Sequence, residues 1–372
     1  MKKHIDYYLL GAVGILLVFG FLFLATLSAS ASLKDFGNTN FYIFHQLKSF
    51  ALALILAIIA FFIPINFVKK LSPWILLITL ILLLSVMFFG ANYWGAQRWL
   101  VIFGMVLQPS EILKLASILY LSAWIASRIK DNKGKGILSS AKGGYYNFLN
   151  LYLPFAILLT IVSTIMIIQS DLSTLGIIGL TLVTLYFSAR TPLWHTFLTV
   201  LGAIGGLFIF IRFEPYRWER FSVFLHPETD PLGAGFQIKQ SLIAIGSGGI
   251  FGKGIGMSSQ KFGYIPQAMT DSVFPIIAEE SGIVGCIILI ALFIFLLWRG
   301  IVISKNSTDN FSKFTALGIV FWITLQAFIN ISSSIGIWPL AGIPLPFFSY
   351  GGSHLLTELA GVGLLLNISK NS

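Results

Sequence analysis

The chain has 372 residues, 56% of them hydrophobic and 10% charged, and a formal net charge of +10. A soluble domain usually carries about 25% charged residues, so this balance excludes a soluble globular protein and points to a polytopic membrane protein. The positive excess suits anionic lipid headgroups and the positive-inside bias; no basic helix with interleaved aromatics is present, so nucleic-acid binding is not expected.

A spanning helix needs about 20 mostly apolar residues. In chain order, segments 7–28, 44–64, 71–90, 109–127, 149–168, 174–190, 193–212, 271–298, 314–335 and 349–368 fit that requirement. The expected fold is all-α: a single integral membrane domain over residues 1–372 with about ten transmembrane helices. The first segment is long enough to span and reads as a retained helix, not a cleaved signal peptide. The lone Cys286 lies in the eighth segment and cannot form an intrachain disulfide.

Charge sets the orientation. With the N-terminus in the cytoplasm, the inside loops hold Lys2, Lys3, Lys69, Lys70, Arg128, Lys130, Lys133, Lys135, Lys142, Arg190, Arg299, Lys305, Lys313 and Lys370. The short outside loops hold Lys34, Lys48 and Arg98. That asymmetry places both termini in the cytoplasm. It also places a long loop, 213–270 between the seventh and eighth helices, on the outer face, where Arg212, Arg217, Arg220, Lys239, Lys253 and Lys261 suggest an anionic ligand. Contact with headgroups is the competing explanation for these cations.

Several polar blocks interrupt the apolar pattern. Gln97-Arg98-Trp99 precedes the fourth helix, which opens with Gln108-Pro109-Ser110-Glu111 and carries Lys114. Glu111 and Lys114 are three apart and share a face; they form either an internal ion pair or part of a cavity wall, and ionisable groups at such depth favour the cavity. Asp171, in Gln169-Ser170-Asp171, either caps the sixth helix or serves a site. Phe236 to Ile245, with Gln237, Lys239 and Gln240, reads as an amphipathic segment on or re-entering the membrane. Gly246, Gly248, Gly249, Gly252, Gly254 and Gly256 follow, allowing close backbone approach to a ligand. Asp271 stands at the mouth of the eighth helix, as an N-cap or as a catalytic carboxylate; Thr270 could take the cap instead. Glu279, Glu280 and Glu358 are expected to hydrogen-bond between helices. Pro344 to Ser353 breaks the backbone before the last helix, which is tolerated where it lines a cavity or is buried in protein. The histidines His4, His45, His195, His226 and His354 show no metal-ligand spacing, although His45 and His354 could line the bundle.

Four of these blocks, GAQRWLVIFGMVLQPSEILKLA, QSDLSTLG, the 236–280 stretch and PLPFFSYGGSHLL, resemble the signatures of the SEDS family (shape, elongation, division and sporulation) in order and spacing. RFSVFLHPETDPLGAGFQ looks closer to the division-type branch. The resemblance implies a peptidoglycan glycosyltransferase in the bacterial cytoplasmic membrane that polymerises lipid II on the outer leaflet, usually beside a class B penicillin-binding protein. It matches Asp271 to the family's essential aspartate, and Arg98, Glu111, Lys114 and Asp171 to its polar cavity residues. Lys239, Gln240, Lys253, Ser349 and Ser353 are further candidate substrate contacts. A divalent cation (Mg or Mn) bridging a pyrophosphate would suit this chemistry, yet no dedicated metal site is legible. The chain departs from the family at Gln267, Met269 and Ser272, where Glu, His and Phe are usual, and at Gln169-Ser170, where Glu-Pro is usual. A second titratable group beside Asp271 is therefore missing from that stretch. The rival functions are a lipid II flippase and a non-catalytic scaffold for the transpeptidase.

Overall fold

In the computed structural model, residues 5–93, 96–102, 105–131, 148–213, 222–230 and 233–371 are described. Arg217, Arg220, Lys133, Lys135 and Lys142 lie outside them.

The helices are α1 (Tyr7–Phe36), α2 (Phe41–Phe62), α3 (Ile65–Phe89), α4 (Pro109–Asp131), α5 (Leu153–Ile168), α6 (Leu172–Ser188), α7 (Leu193–Phe213), α8 (Ala234–Gly248), α9 (Val273–Asn306), α10 (Asn310–Ser334) and α11 (Gly352–Lys370). Local chemistry starts and stops them. Asp6 caps α1 by accepting from Leu9 N at 2.9 Å, and Gly37 closes it in the left-handed region at φ 68°. Asp309 caps α10 by accepting from Ser312 N at 3.0 Å.

All ten apolar segments of the sequence coincide with helices. Among the described residues, seven helices are long and apolar enough to cross a membrane: α1 to α4, the α5 helix with the π-turn Phe148–Tyr152 before it, α9 and α10. Leu172–Ser188 and Leu193–Ala203 are shorter apolar helices. The last helix, α11, is depressed in hydropathy by His354, Glu358 and Asn367, all buried within the bundle. The chain is a multi-pass membrane protein.

Two features depart from an all-helical reading. A three-stranded antiparallel sheet, β1 (Ala91–Tyr93), β2 (Ala96–Ile102) and β3 (Met105–Leu107), joins α3 to α4 with Leu100 opposite Leu107 and Val101 opposite Val106. The segment between α7 and α9 is no simple loop either, since it contains α8, which packs along α9.

α2 packs most extensively on α11, α9 on α10, and α3 on α4, while α10 also packs on α4 and α6. One apolar core, including Leu16, Leu113, Leu182, Phe293, Trp322 and Leu365, runs through these helices. Asp6 and Ser369, near the two ends of the chain, lie together at one end of the bundle: Arg299 reaches Asp6 with Nη2 to Oδ2 at 2.5 Å, and Asp6 N donates to Ser369 Oγ at 3.2 Å. The opposite end carries the cavity.

Candidate functional site

A cavity of about 1660 Å³ opens between the β2–β3 strands, α2, α8, the start of α6 and the irregular segment 335–351. Its lining includes Arg98, Glu111, Asp171, Asp230, Gln237 and Asp271.

Asp271 is half-buried and its carboxylate faces this cavity. The helix behind it begins at Val273 with Ser272 in the cap position, so Asp271 stands one residue before the cap. Thr270 does not cap either: its hydroxyl donates to Gln267 O at 3.2 Å and approaches Asp271 Oδ1 at 3.4 Å. The turn is held from several sides. Asn330 Nδ2 donates to Asp271 O at 2.8 Å and to Ile343 O at 2.7 Å. Tyr350 N donates to Met269 O at 2.7 Å, and the Ser349 hydroxyl donates to Thr270 O. Gln237 of α8 donates to Ser272 Oγ at 2.8 Å. The broken backbone before α11 is thus the frame of the Asp271 turn, which satisfies polar groups that lipid could not.

Glu111 and Lys114 are both an ion pair and part of the cavity wall, with only Glu111 reaching the opening. Lys114 Nζ lies 2.8 Å from Glu111 Oε2, with side chains 1% and 4% exposed. The pair is ionic in geometry, because Oε2 lacks an aligned hydrogen bond and Nζ donates to Gln326 Oε1 at 2.7 Å. Gln326 also accepts from Trp322 Nε1 at 3.0 Å and donates to Pro344 O at 3.0 Å. A continuous polar chain therefore runs from Glu111 through Lys114 and Gln326 to the segment that frames Asp271.

Asp171 likewise does both things expected of it. It caps α6, with Oδ1 accepting from Thr174 N at 3.4 Å, and it lines the cavity, with Oδ2 accepting from Ser110 Oγ at 3.2 Å. Arg98 lines the cavity from β2 and donates to Gln169 O at 3.2 Å and Ser170 O at 2.5 Å, the carbonyls that follow α5. Among the described lining residues it is the one Lys or Arg side chain. Ser353 also lines the cavity, accepting from Gln108 N at 2.9 Å and donating to Val106 O at 2.9 Å.

The remaining sequence candidates lie off the cavity lining. Lys239 is exposed and Gln240 half-buried on α8, and Ser349 is buried within the Asp271 turn. Lys253 turns away altogether, placing Nζ 2.6 Å from Glu279 Oε1. The glycine loop packs on α9: Lys253 N donates to Glu279 O at 2.9 Å, Gly254 N to Glu280 O at 3.1 Å, and Ile283 N to Gly249 O at 3.0 Å. α9 is broken at Gly282 (φ 66°), and a Cβ at Gly252 (φ 81°) would clash with the Glu280 carbonyl, so both positions require glycine. Glu279 joins α9 to α8 through Ser247, as expected of a helix-to-helix contact, and together with Glu280 it also holds the loop after α8. Glu279 accepts from Lys253, from Ser258, from Ser259 at 3.1 Å and from Ser247 at 3.3 Å, and Glu280 pairs with Lys261 at 3.5 Å. Glu358 stays within its own neighbourhood, accepting from Phe347 N at 3.0 Å beside His354.

Sequence reasoning missed Asn330, Gln326 and Gln237, amides scattered through apolar or amphipathic helices. The signal that could have found the first two is the polarity itself, because an amide inside a spanning helix must face a partner. His45 and His354 do line the cavity, and His45 Nδ1 is 2.9 Å from the Tyr350 hydroxyl. Among the described residues, no three His, Cys, Asp or Glu side chains come together as a metal site.

The chain matches the cell cycle protein family FTSW_RODA_SPOVE over residues 7–372. It is 35% identical over 368 residues to a probable peptidoglycan glycosyltransferase FtsW of Hydrogenovibrio crunogenus, covering 98% of this chain and 91% of that one. It is also 35% identical over 359 residues to the probable peptidoglycan glycosyltransferase FtsW of Coxiella burnetii, covering 95% and 93%. In structure it resembles a chain solved in work on polymerization and crosslinking by a peptidoglycan synthase complex, with TM-score 0.76, 28% identity, and 98% and 97% coverage. The rod shape determining protein RodA of Thermus thermophilus shares the fold, with TM-score 0.70, 24% identity, and 98% and 96% coverage.

Proposed function

This chain belongs to the FtsW/RodA/SpoVE family of cell cycle proteins, and we propose that it is a peptidoglycan glycosyltransferase that polymerises lipid II for the bacterial cell wall. The observation that carries the reading is Asp271, a carboxylate on a braced turn in a cavity of about 1660 Å³, at the end of the bundle opposite Asp6 and Ser369. Relatives named FtsW at 35% identity support a role in division. The charge asymmetry supports cytoplasmic termini and an extracytoplasmic cavity.

In this mechanism Asp271 takes the proton from the 4-hydroxyl of the acceptor lipid II sugar. The freed oxygen pair attacks the anomeric carbon of the growing strand, and the bond to undecaprenyl pyrophosphate breaks with inversion. A half-buried carboxylate positioned at the hydroxyl is suited to general-base work worth about 10²–10⁴-fold. Arg98 meets the developing charge of the leaving group from the cavity wall. Its two carbonyl contacts fix the guanidinium in place. Lys114 acts at one remove, holding Glu111 and Gln326 and through them the frame of the Asp271 turn. Asp171 shapes the wall from the α6 cap. The partner fitting this chemistry is a class B penicillin-binding protein that crosslinks the emerging strand, in line with the solved synthase complex.

The test is polymerisation of labelled lipid II by the purified protein, with and without that transpeptidase, beside Asp271→Asn. Wild-type polymer and a loss of at least about 10²-fold in the variant support the reading. Full-rate polymer from Asp271→Asn would remove the base assignment. Lipid II transfer between leaflets without polymer from the wild type would replace the enzyme with a flippase.

A further inference from the structure

At the end of the bundle that holds Asp6 and Ser369, a second cavity of about 610 Å³ opens between the start of α3 and the end of α4. Its lining includes Asn66, Lys69, Lys70, Pro73, Tyr120 and Trp124. It shares no lining residue with the Asp271 cavity.

Three observations identify its ligand chemistry. The first is charge. Lys69 and Lys70 face the opening, and the Arg128 guanidinium lies over the Trp124 ring at 5.8 Å. The Arg128 Nε is buried and lacks a hydrogen-bond partner among the described residues, and no salt bridge among them neutralises Lys69 or Lys70. Lys69 and Lys70, two cations with no ion pair among the described residues in the lining of one concavity, call for an anion. The second is depth. Trp74 and Phe67, next in sequence to the lining residues Pro73 and Asn66, are 61% and 52% exposed, and Tyr120 and Trp124 line the cavity. Exposed aromatics of this kind mark the headgroup level of a bilayer. The third is the surface leading away along α3, where Leu77, Ile78 and Ile81 are 46%, 55% and 57% exposed. That apolar track suits an acyl chain whose headgroup sits in the cavity. Pro73 leaves the Lys69 carbonyl without its helical N–H donor, and the Ser72 hydroxyl donates to it instead at 2.9 Å.

We propose that the α3–α4 cavity is a binding site for the phosphate headgroup of one anionic phospholipid, with Lys69, Lys70 and Arg128 as its cations and Trp124 as its stacking wall. A free phosphate offers the same anionic chemistry, but the aromatic rim and the apolar track favour the lipid.

The test is native mass spectrometry of the full chain released from bilayer nanodiscs of phosphatidylcholine with phosphatidylglycerol. The double variant Lys69→Gln/Lys70→Gln is compared with wild type and with Lys305→Gln, a cation exposed at the same end but on α9. Each cation near a phosphate contributes about fivefold in affinity, so the double variant should retain phosphatidylglycerol roughly 25-fold more weakly. Lys305→Gln should match wild type, and phosphatidylcholine should not be retained. Arg128→Gln should weaken retention by itself, which protects the conclusion if the double variant folds poorly. Equal retention by the double variant and wild type would overturn the site. So would equal loss in Lys305→Gln, which would mean diffuse headgroup attraction. Displacement of the lipid by millimolar inorganic phosphate would assign the cavity to a soluble anion instead.

Discussion

Removing Lys114 tests whether the buried polar chain beneath the cavity fixes the structure or only the chemistry. In Lys114→Met, Glu111 keeps its charge at a side chain that is 4% exposed, and Gln326 Oε1 loses the donor at 2.7 Å. Stripping one partner from a buried pair costs about 3–5 kcal/mol, because the remaining charge is uncompensated. For a chain of this size that corresponds to a fall of roughly 5 °C in melting temperature. In Glu111→Gln/Lys114→Met the stranded charge is gone, and the double variant should recover most of the loss. The assay is thermal melting in detergent, read as a rank order among wild type, both singles and the double. Polymerisation of lipid II is measured on the same samples. A stable double variant that polymerises poorly would show that Glu111 works at the cavity beyond its pairing. The reasoning is refuted if Lys114→Met melts at or above the double variant, because the carboxylate would then not be stranded.

Other expectations are equally concrete. Asn330→Leu removes two hydrogen bonds to the carbonyls of Asp271 and Ile343; it should lower kcat for polymerisation more than it raises KM, since it loosens the turn and not the substrate wall, and steady-state kinetics would read the split. Gly282→Ala forces a side chain into the left-handed break of α9 and against the glycine loop; limited proteolysis should show cleavage between residues 249 and 263 that wild type resists. Glu279→Leu should destabilise more than Lys253→Met, because Glu279 is fully buried and accepts from several donors while the Lys253 side chain is 38% exposed; melting temperatures would check the order.

The sequence alone determined the class of the molecule and most of its helices. Crossing lipid obliges a segment to satisfy its backbone internally, so apolar length is a local signal and every apolar segment named from composition coincides with a helix. Asp171 as a cap and Asp271 as a charge at a helix mouth that lines the cavity were legible for the same reason, since charges beside apolar runs stand out. The strands β1 to β3 were not legible, because they are short and their pairing depends on neighbours. Only the tertiary structure decided which charges face the cavity. Lys253 is neutralised by Glu279, 26 positions away, and Lys114 is claimed by Gln326, 212 positions away. A cation's role depends on what the fold brings within hydrogen-bond reach, and residue type and spacing along one helix do not contain that distance. For the same reason the glycine loop read as a ligand cradle: glycine permits close approach, and the fold supplied α9 as the surface approached.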